Sequence, residues 1–83
     1  MPTWFTYIVH CHDDSYYTGI STDLSKRIAT HNAGKGAAYT RGRGPVKLVY
    51  SEQFNSRSEA TKRELAIKKL TRQEKKQLIA QYG

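Results

Sequence analysis

The sequence predicts a small α/β (α+β) domain, in which a three-stranded antiparallel sheet is packed by three helices in the order β-β-α-β-α-α. Segments 4–11 and 16–20 are rich in aromatic and β-branched residues, as strands are. Capping signals precede three further segments. A chain of 83 residues buries only about 60 to 65% of the surface that it exposes when unfolded, so residues 1–83 are expected to form one domain.

The first two strands are predicted to form a hairpin around the acidic segment 13–15. A three-residue loop centred on the first of these acids would pair Val9 with Tyr17 and Tyr7 with Gly19. Because strand side chains alternate between faces, Tyr7 and Tyr17 would then share one face of the sheet. A two-residue turn would instead place the two phenol rings on opposite faces.

A helix is predicted directly after this hairpin. Ser21 or Thr22 can cap its start near Asp23, where a carboxylate suits the positive end of the helix dipole. Asn32 and Gly34 can end it.

Two polar side chains of this helix are predicted to face the sheet. Leu24 and Ile28 define the inward stripe, since residues four apart lie on one side of a helix. His31 projects between them, and Arg27 lies about 60° to one side. A buried guanidinium is costly unless it binds an anion, so Arg27 is a candidate anion-binding residue.

The third strand is predicted over residues 46–54. Val46, Leu48 and Tyr50 alternate there with Lys47 and Ser51, which is the pattern of a strand with one apolar face.

Two capping boxes predict the last two helices. They pair Ser56 with Glu59 and Thr71 with Glu74. In the first of these helices, Glu64 projects toward the inward side. An inward carboxylate is costly unless it is paired or binds a cation, which makes Glu64 a candidate metal ligand.

The segment 33–45 is predicted to be a loop. Glycines let backbone N–H groups approach a phosphate closely, and basic side chains neutralise it, although an ordinary flexible connector has the same composition. The loop contains Gly34, Gly36, Gly42 and Gly44, interleaved with Lys35, Arg41 and Arg43.

Charge is distributed unevenly along the chain. Residues 1–25 contain three acids and no Lys or Arg, whereas residues 26–83 carry 14 bases against four acids, a net charge of +10. Such a basic region favours a polyanion, since each neutralised phosphate releases counterions. Nucleic acid is therefore the expected partner, and the alternative is a solvated surface that only keeps the protein in solution.

Composition also suggests a compartment. No apolar run approaches the roughly 18 residues of a membrane span, and the N-terminus lacks the basic segment and apolar core of a signal peptide. We therefore expect a cytoplasmic protein with no membrane association. The single Cys11 excludes an internal disulfide, which fits a reducing compartment.

Five motifs follow one another along the chain: Phe5-Thr6-Tyr7, Tyr17-Thr18-Gly19, Arg27-x-x-x-His31, the segment around Ala38-Tyr39-Thr40, and Ser58-Glu59-Ala60-x-x-x-Glu64. In order and spacing, they resemble those of the GIY-YIG nuclease superfamily, and above all its small stand-alone bacterial members. The chain departs from the family pattern at three places. Phe5 and Thr6 replace Gly and Ile in the first motif, Thr18 replaces Ile in the second, and an Asn that some members place after the metal-binding Glu has no counterpart.

The resemblance implies a metal-dependent endonuclease that hydrolyses DNA, with single-stranded or structured DNA suspected. One Mg²⁺ (or Mn²⁺) ion would be held by Glu64, because a carboxylate oxygen suits a hard cation. Arg27 would bind the scissile phosphate, and Tyr7 would accept the proton of the attacking water. The ordinary phenol pKa of about 10 opposes this role, so positive charge from Arg27, the cation or His31 would have to favour the phenolate. Tyr17 would orient the water or the phosphate.

The remaining expected contacts are with the nucleic acid itself, through Gly19, Lys35, Tyr39, Arg41, Arg43 and Lys68. Gly19 would let the substrate or Tyr7 approach the backbone. One small module offers too little surface for extended sequence recognition, so strandedness, DNA structure or a partner protein is expected to set specificity.

Other interpretations of the same residues remain open at this level. Arg27 and Glu64 could form a mutual salt bridge, and His31 could be a helix-end residue that the dipole favours. The chain could also be a non-catalytic nucleic-acid-binding module of the same fold or, less favoured, an adaptor that binds proteins.

Overall fold

The three strands and three helices occur in the predicted order. The structure, a computed structural model, describes residues 2–82. Its elements are β1 (Trp4–His10), β2 (Tyr16–Ser21), α1 (Leu24–Asn32), a short 3-10 turn (Ala38–Thr40), β3 (Lys47–Phe54), α2 (Arg57–Lys68) and α3 (Arg72–Tyr82). The sheet is antiparallel with β1 in the centre, in the order β2-β1-β3. The predicted fold class is confirmed.

The hairpin has the register of the three-residue loop. Val9 lies opposite Tyr17, and Tyr7 lies opposite Gly19. The backbone N–H of Cys11 donates to the carbonyl of the residue four positions later, at 2.8 Å, which closes the loop. Tyr7 and Tyr17 therefore share a face of the sheet, as this register predicts.

The sheet separates two small cores. On one face the strands pack against Leu24 and Ile28 of α1, and on the other face they pack against Ile67 of α2 and Leu78 of α3. The buried residues on the α1 side are Tyr7 and Val9 of β1, together with Cys11 and Val46, which lie just outside the strands. The site described below lies on this α1 face.

A β-bulge in β3 changes which side chains share a face. Ile8 pairs with Tyr50 but Val9 pairs with Leu48, so β3 has one extra residue at this point. An extra residue reverses the alternation of side chains. Leu48 therefore packs on the α1 side and Tyr50 on the α2 side, and the expected single apolar face of β3 is wrong.

The first helix begins one residue later than a Ser21 or Thr22 cap would allow. Asp23 is the N-cap, and its carboxylate accepts from the backbone N–H of Lys26 at 3.1 Å. Ser21 supports this cap, since its hydroxyl oxygen accepts from the Asp23 N–H at 3.0 Å. The predicted capping box of Thr71 and Glu74 forms in full, with each side chain accepting from the other residue's backbone N–H. At the start of α2, the Ser56 hydroxyl oxygen accepts from the Glu59 N–H, but the Glu59 carboxylate accepts from the N–H of Asn55 instead of Ser56.

Thr18 provides a test of how a buried polar group affects stability. Its hydroxyl is buried between the sheet and α2 without a hydrogen-bond partner, which costs about 1 to 3 kcal/mol. Thr18→Val removes this hydroxyl at nearly constant shape, so we expect the free energy of unfolding to rise by about 1 kcal/mol. Urea unfolding followed by circular dichroism measures it.

Thr6 offers the matched control. It is also fully buried, but its hydroxyl donates to the Ala60 carbonyl at 2.8 Å. Thr6→Val should therefore lower the free energy of unfolding by about 1 to 3 kcal/mol. Equal effects of the two substitutions would contradict this account.

Within residues 2–82, no helix combines the length and the apolar character that crossing a bilayer requires.

Candidate active site

The Tyr7 phenol is the centre of a hydrogen-bonded cluster between the sheet and α1. Its oxygen lies 2.9 Å from His31 Nε2, and Arg27 Nε donates to it at 3.4 Å. The Tyr7 and Tyr17 ring centroids are 6.5 Å apart. Four of the residues predicted to be catalytic are thus brought together by β1, β2 and α1.

Gly19 makes room for this phenol. A Cβ atom built on Gly19 would lie 2.6 Å from the Tyr7 oxygen and 2.8 Å from its Cζ. Any larger residue would therefore displace the ring. The Tyr7 ring therefore lies directly against the Gly19 backbone.

Tyr7 is a neutral phenol at neutral pH. Its side chain is completely buried, and burial raises the pKa of Tyr7 above its ordinary value of 10.0. The Arg27 hydrogen bond and charge oppose this rise, but burial is the larger cause. Arg27 therefore does not make Tyr7 a phenolate in this state.

His31 is neutral as well. It is only 1% exposed, and burial followed by the charge of Arg27 lowers the pKa of His31 below 6.5. The expectation that His31 contributes positive charge toward a phenolate is therefore wrong. Its side chain is also not a solvated helix-end cation, since Nδ1 lies 2.8 Å from the Thr40 hydroxyl oxygen.

Arg27 belongs both to this cluster and to a cleft beside α1. Its Nε donates to the Tyr7 oxygen, and it lines a cleft of about 210 Å³ that Tyr7 does not line. The lining residues are Ser21, Thr22, Asp23, Lys26, Arg27 and Thr30. Of the five predicted catalytic and metal-binding residues, Arg27 lines this cleft, whereas Tyr7, Tyr17, His31 and Glu64 do not.

Glu64 lies across the sheet from the Tyr7 phenol, because α2 packs on the face opposite α1. It lies on α2, its side chain is 17% exposed, and its carboxylate lies 3.3 Å from Lys68 Nζ. Its negative charge contributes to the raised pKa of Tyr7, although less than burial does. Arg27 and Glu64 do not pair with each other within residues 2–82, so the mutual salt bridge is not formed.

The residues around Glu64 fit a cation that keeps most of its water. Within the described part of the chain, no three His, Cys, Asp or Glu side chains come together as a metal site. Glu64 is thus a single, partly exposed carboxylate. Mg²⁺ is bound in proteins through one or two carboxylates together with waters and substrate phosphates, which suits this donor set.

An aromatic stack extends from the site into the loop of residues 33–45. The rings of Tyr17 and Tyr39 are stacked, with centroids 5.8 Å apart. The Arg43 guanidinium lies 4.4 Å from the Tyr39 centroid and also pairs with Asp13. Tyr39 is 42% exposed, so the stack connects Tyr17 to the protein surface.

The other predicted nucleic-acid-binding residues are not part of this aromatic stack. Lys35 and Arg41 are exposed in the loop and form no ion pair within residues 2–82. Lys68 is on α2, where it is paired with Glu64. These basic side chains thus lie in the loop of residues 33–45 and on α2.

Comparison with known proteins identifies the family. The model of the GIY-YIG catalytic domain matches residues 3–77. The chain belongs to the GIY-YIG family.

Several relatives of this GIY-YIG protein are similar over nearly their whole length. A UPF0213 protein of Staphylococcus haemolyticus is 56% identical over 95% of this chain and 96% of its own. A UPF0213 protein of Halobacterium salinarum is 54% identical over 88% and 95%. The solution structure of a UPF0213 protein from Bacillus halodurans is 47% identical, covers 98% of this chain and 86% of that chain, and superposes with a TM-score of 0.63.

Two residues of this GIY-YIG protein contact His31 in a way that the sequence did not predict. Thr40 contacts His31 Nδ1, and Gly36 packs so closely on the same ring that a Cβ atom there would lie within 2.9 Å of its Cγ and Cε1. Thr40 lies in a segment that matches the family, and Gly36 is one of several loop glycines. The sequence shows no local signal for either contact, since both depend on how the loop folds over α1.

Proposed function

We propose that this GIY-YIG protein is a divalent-metal-dependent endonuclease that hydrolyses DNA phosphodiester bonds. The observation that carries the proposal is the cluster of Arg27, Tyr7 and His31, in which an anion-binding group, a phenol and an imidazole are hydrogen-bonded in sequence. These are the groups that phosphate binding and proton transfer from water require.

Arg27 binds the scissile phosphate at the cleft beside α1. Its guanidinium has a weak acceptor in the neutral Tyr7 oxygen, at 3.4 Å. A phosphate offers two charged oxygens to the planar guanidinium, and such charge-assisted pairs are roughly twice as strong as neutral ones. Phosphate binding therefore draws Arg27 from Tyr7 and opens the phenol oxygen to the attacking water.

Tyr7 and His31 move the proton of that water. The phenol oxygen accepts a proton from water while its own hydrogen passes to His31 Nε2, 2.9 Å away. Tyr7 is a neutral phenol before and after this transfer, and the positive charge remains on the imidazole. The raised pKa of Tyr7 does not block this route, because no free phenolate forms. The transfer requires a neutral His31, and the lowered pKa of His31 keeps the imidazole neutral.

Glu64 holds the divalent cation, in keeping with the general use of such metals by GIY-YIG nucleases. When bound, the ion stabilises negative charge on the phosphate and on the leaving oxygen. Lys68 lies 3.3 Å from the same carboxylate and neutralises it before the cation binds. Tyr17 lies beside Tyr7 and orients the water or the phosphate.

The aromatic stack favours single-stranded or structured DNA. Bases that are not paired can stack on aromatic rings, and Tyr39 is exposed at the end of the stack with Tyr17 and Arg43. Lys35 and Arg41 add positive charge along the same loop, Lys68 adds charge on α2 next to Glu64, and Gly19 lies against the Tyr7 phenol. A partner protein is the expected source of any further specificity, given the small surface.

The experiment is a cleavage assay with single-stranded, branched and duplex DNA in the presence of Mg²⁺. We expect cleavage of at least one substrate by the natural protein. Glu64→Gln should reduce it by about a hundredfold or more, because charge stabilisation in the transition state is lost. Glu59→Gln is the matched control on the same helix, since Glu59 is exposed and should leave the rate unchanged. Equal rates for both variants would contradict the role of Glu64.

A second candidate is a nucleic-acid-binding module of the same fold without turnover. The complete burial of Tyr7 beneath Arg27 favours it, since water does not reach the phenol in this state. Such a module binds DNA with a log–log salt slope near −3 if about four phosphates are neutralised. Salt-dependent binding without cleavage of any substrate would support this candidate over the nuclease.

A further inference from the structure

His31 lies between two hydroxyl groups, one at each ring nitrogen. Nε2 lies 2.9 Å from the Tyr7 oxygen, and Nδ1 lies 2.8 Å from the Thr40 hydroxyl oxygen. A neutral imidazole has one N–H donor and one acceptor nitrogen. The direction of both hydrogen bonds therefore depends on which nitrogen carries the hydrogen.

The surroundings of Thr40 decide the direction at Nδ1. The Thr40 hydroxyl has a single hydrogen, and its oxygen lies 2.9 Å from the Ala37 carbonyl oxygen as well as 2.8 Å from His31 Nδ1. If this hydrogen pointed to Nδ1, two oxygen atoms would face each other at 2.9 Å with no hydrogen between them. That contact is repulsive, so the hydroxyl donates to Ala37 and Nδ1–H donates to Thr40.

The surroundings of Tyr7 indicate that its hydroxyl donates to an unprotonated Nε2, which is consistent with a hydrogen on Nδ1. Arg27 Nε–H donates to the Tyr7 oxygen, and guanidinium groups have no acceptor. The hydrogen of the buried phenol therefore needs another acceptor, and His31 Nε2 is within reach at 2.9 Å. The reverse tautomer would aim two donors at the Tyr7 oxygen and leave the phenol hydrogen without a partner in this cluster.

We propose that Thr40 is a positioning residue that holds neutral His31 in the tautomer with its hydrogen on Nδ1. Nε2 is then unprotonated and faces the hydrogen of Tyr7. The chain of donors runs from Tyr7 through His31 and Thr40 to the carbonyl of Ala37, and each group in it is satisfied. The consequence for cleavage rests on the proposed nuclease function, whereas the tautomer itself does not.

Nitrogen-15 NMR of histidine-labelled protein tests the proposal without any substrate or metal. Long-range correlation spectra of the three histidines distinguish a protonated from an unprotonated ring nitrogen. At neutral pH we expect His31 to have protonated Nδ1 and unprotonated Nε2. A spectrum with protonated Nε2 in the natural protein would overturn the proposal, whatever the variants do.

Two substitutions separate positioning from packing. Thr40→Val keeps the shape of the side chain but removes the acceptor for Nδ1–H, so we expect a measurable fall in the fraction of the Nδ1–H form, although the Tyr7 hydrogen still favours an unprotonated Nε2. Thr40→Ser keeps the hydroxyl and should restore the natural spectrum, which a loss of packing alone would not do. An unchanged tautomer in Thr40→Val would also overturn the proposal.

Cleavage adds a second measurement if the natural protein is a nuclease. Thr40→Val should cleave DNA about 10- to 100-fold more slowly, as is usual when the partner that orients a functional histidine is lost, and Thr40→Ser should recover most of the rate. If the natural protein cleaves nothing, the nuclease proposal fails, while the NMR result still decides the tautomer. If His31 has protonated Nε2 in a protein that does cleave, only the Thr40 proposal fails.

Discussion

Replacing Tyr7 by Phe should reduce DNA cleavage by about a hundredfold to ten-thousandfold, which is the usual contribution of a group that transfers a proton in the transition state. The Tyr7 oxygen is the only part of the residue that is removed, and it is the atom that links Arg27 to His31 Nε2. Without it, the imidazole has no bridge to the attacking water. Single-turnover cleavage at saturating protein measures the chemical step directly.

Stability must be measured alongside this loss of activity. Tyr7→Phe leaves the buried Nε2 of His31 without a partner, which should cost about 1 to 3 kcal/mol of the free energy of unfolding. Tyr16→Phe is the matched control, because Tyr16 lies on the opposite face of the same hairpin and packs with His10. A Tyr7→Phe protein that is folded and cleaves within about threefold of the natural rate would contradict the proton-transfer role.

Gly36→Ala should impair both folding and cleavage. A Cβ atom at this position would overlap the buried His31 ring, lying 2.9 Å from Cγ and Cε1 and closer still to Nδ1. The ring cannot move away without losing its contacts with Tyr7 and Thr40. Overpacking of this kind costs about 1 to 3 kcal/mol, so we expect a lower free energy of unfolding in urea. Cleavage should fall by at least about tenfold, because the imidazole is displaced.

Gly44→Ala in the same loop is the matched control. The nearest atom to its added Cβ is Asn32 Oδ1 at 4.0 Å, an ordinary contact distance. Its free energy of unfolding should therefore stay within about 1 kcal/mol of the natural value. If the two alanine variants had the same stability and the same activity, close packing of Gly36 on His31 would not be what holds the ring.

The order of elements could be predicted because its signals are local. Strand composition, the acidic turn and two capping boxes each depend on residues within a few positions of one another. The sequence left two hairpin registers open, and the structure has the one of a loop centred on Asp13, in which Tyr7 and Tyr17 share a face. Helical periodicity indicated Arg27 and Glu64 as candidate ligand-binding residues, and the family motifs added the expected roles of Tyr7, Tyr17 and His31.

The bulge in β3 was not predictable from the alternation of apolar residues. Val46, Leu48 and Tyr50 have the spacing of a regular strand, yet Tyr50 packs on the opposite side from Leu48. The reason is that both faces of this sheet are covered by helices, so an apolar side chain is buried on either side. Alternation alone therefore does not specify where an extra residue enters the strand.

The sequence by itself determined which chemical groups this protein has and the secondary structure on which each is carried. The tertiary structure decided their protonation and their partners. Burial keeps Tyr7 and His31 neutral, Arg27 covers the phenol, and the folded loop brings Thr40 to the far nitrogen of the imidazole. A pKa and a hydrogen-bond direction depend on what surrounds a group in space, and those surroundings come from segments that are distant in the chain.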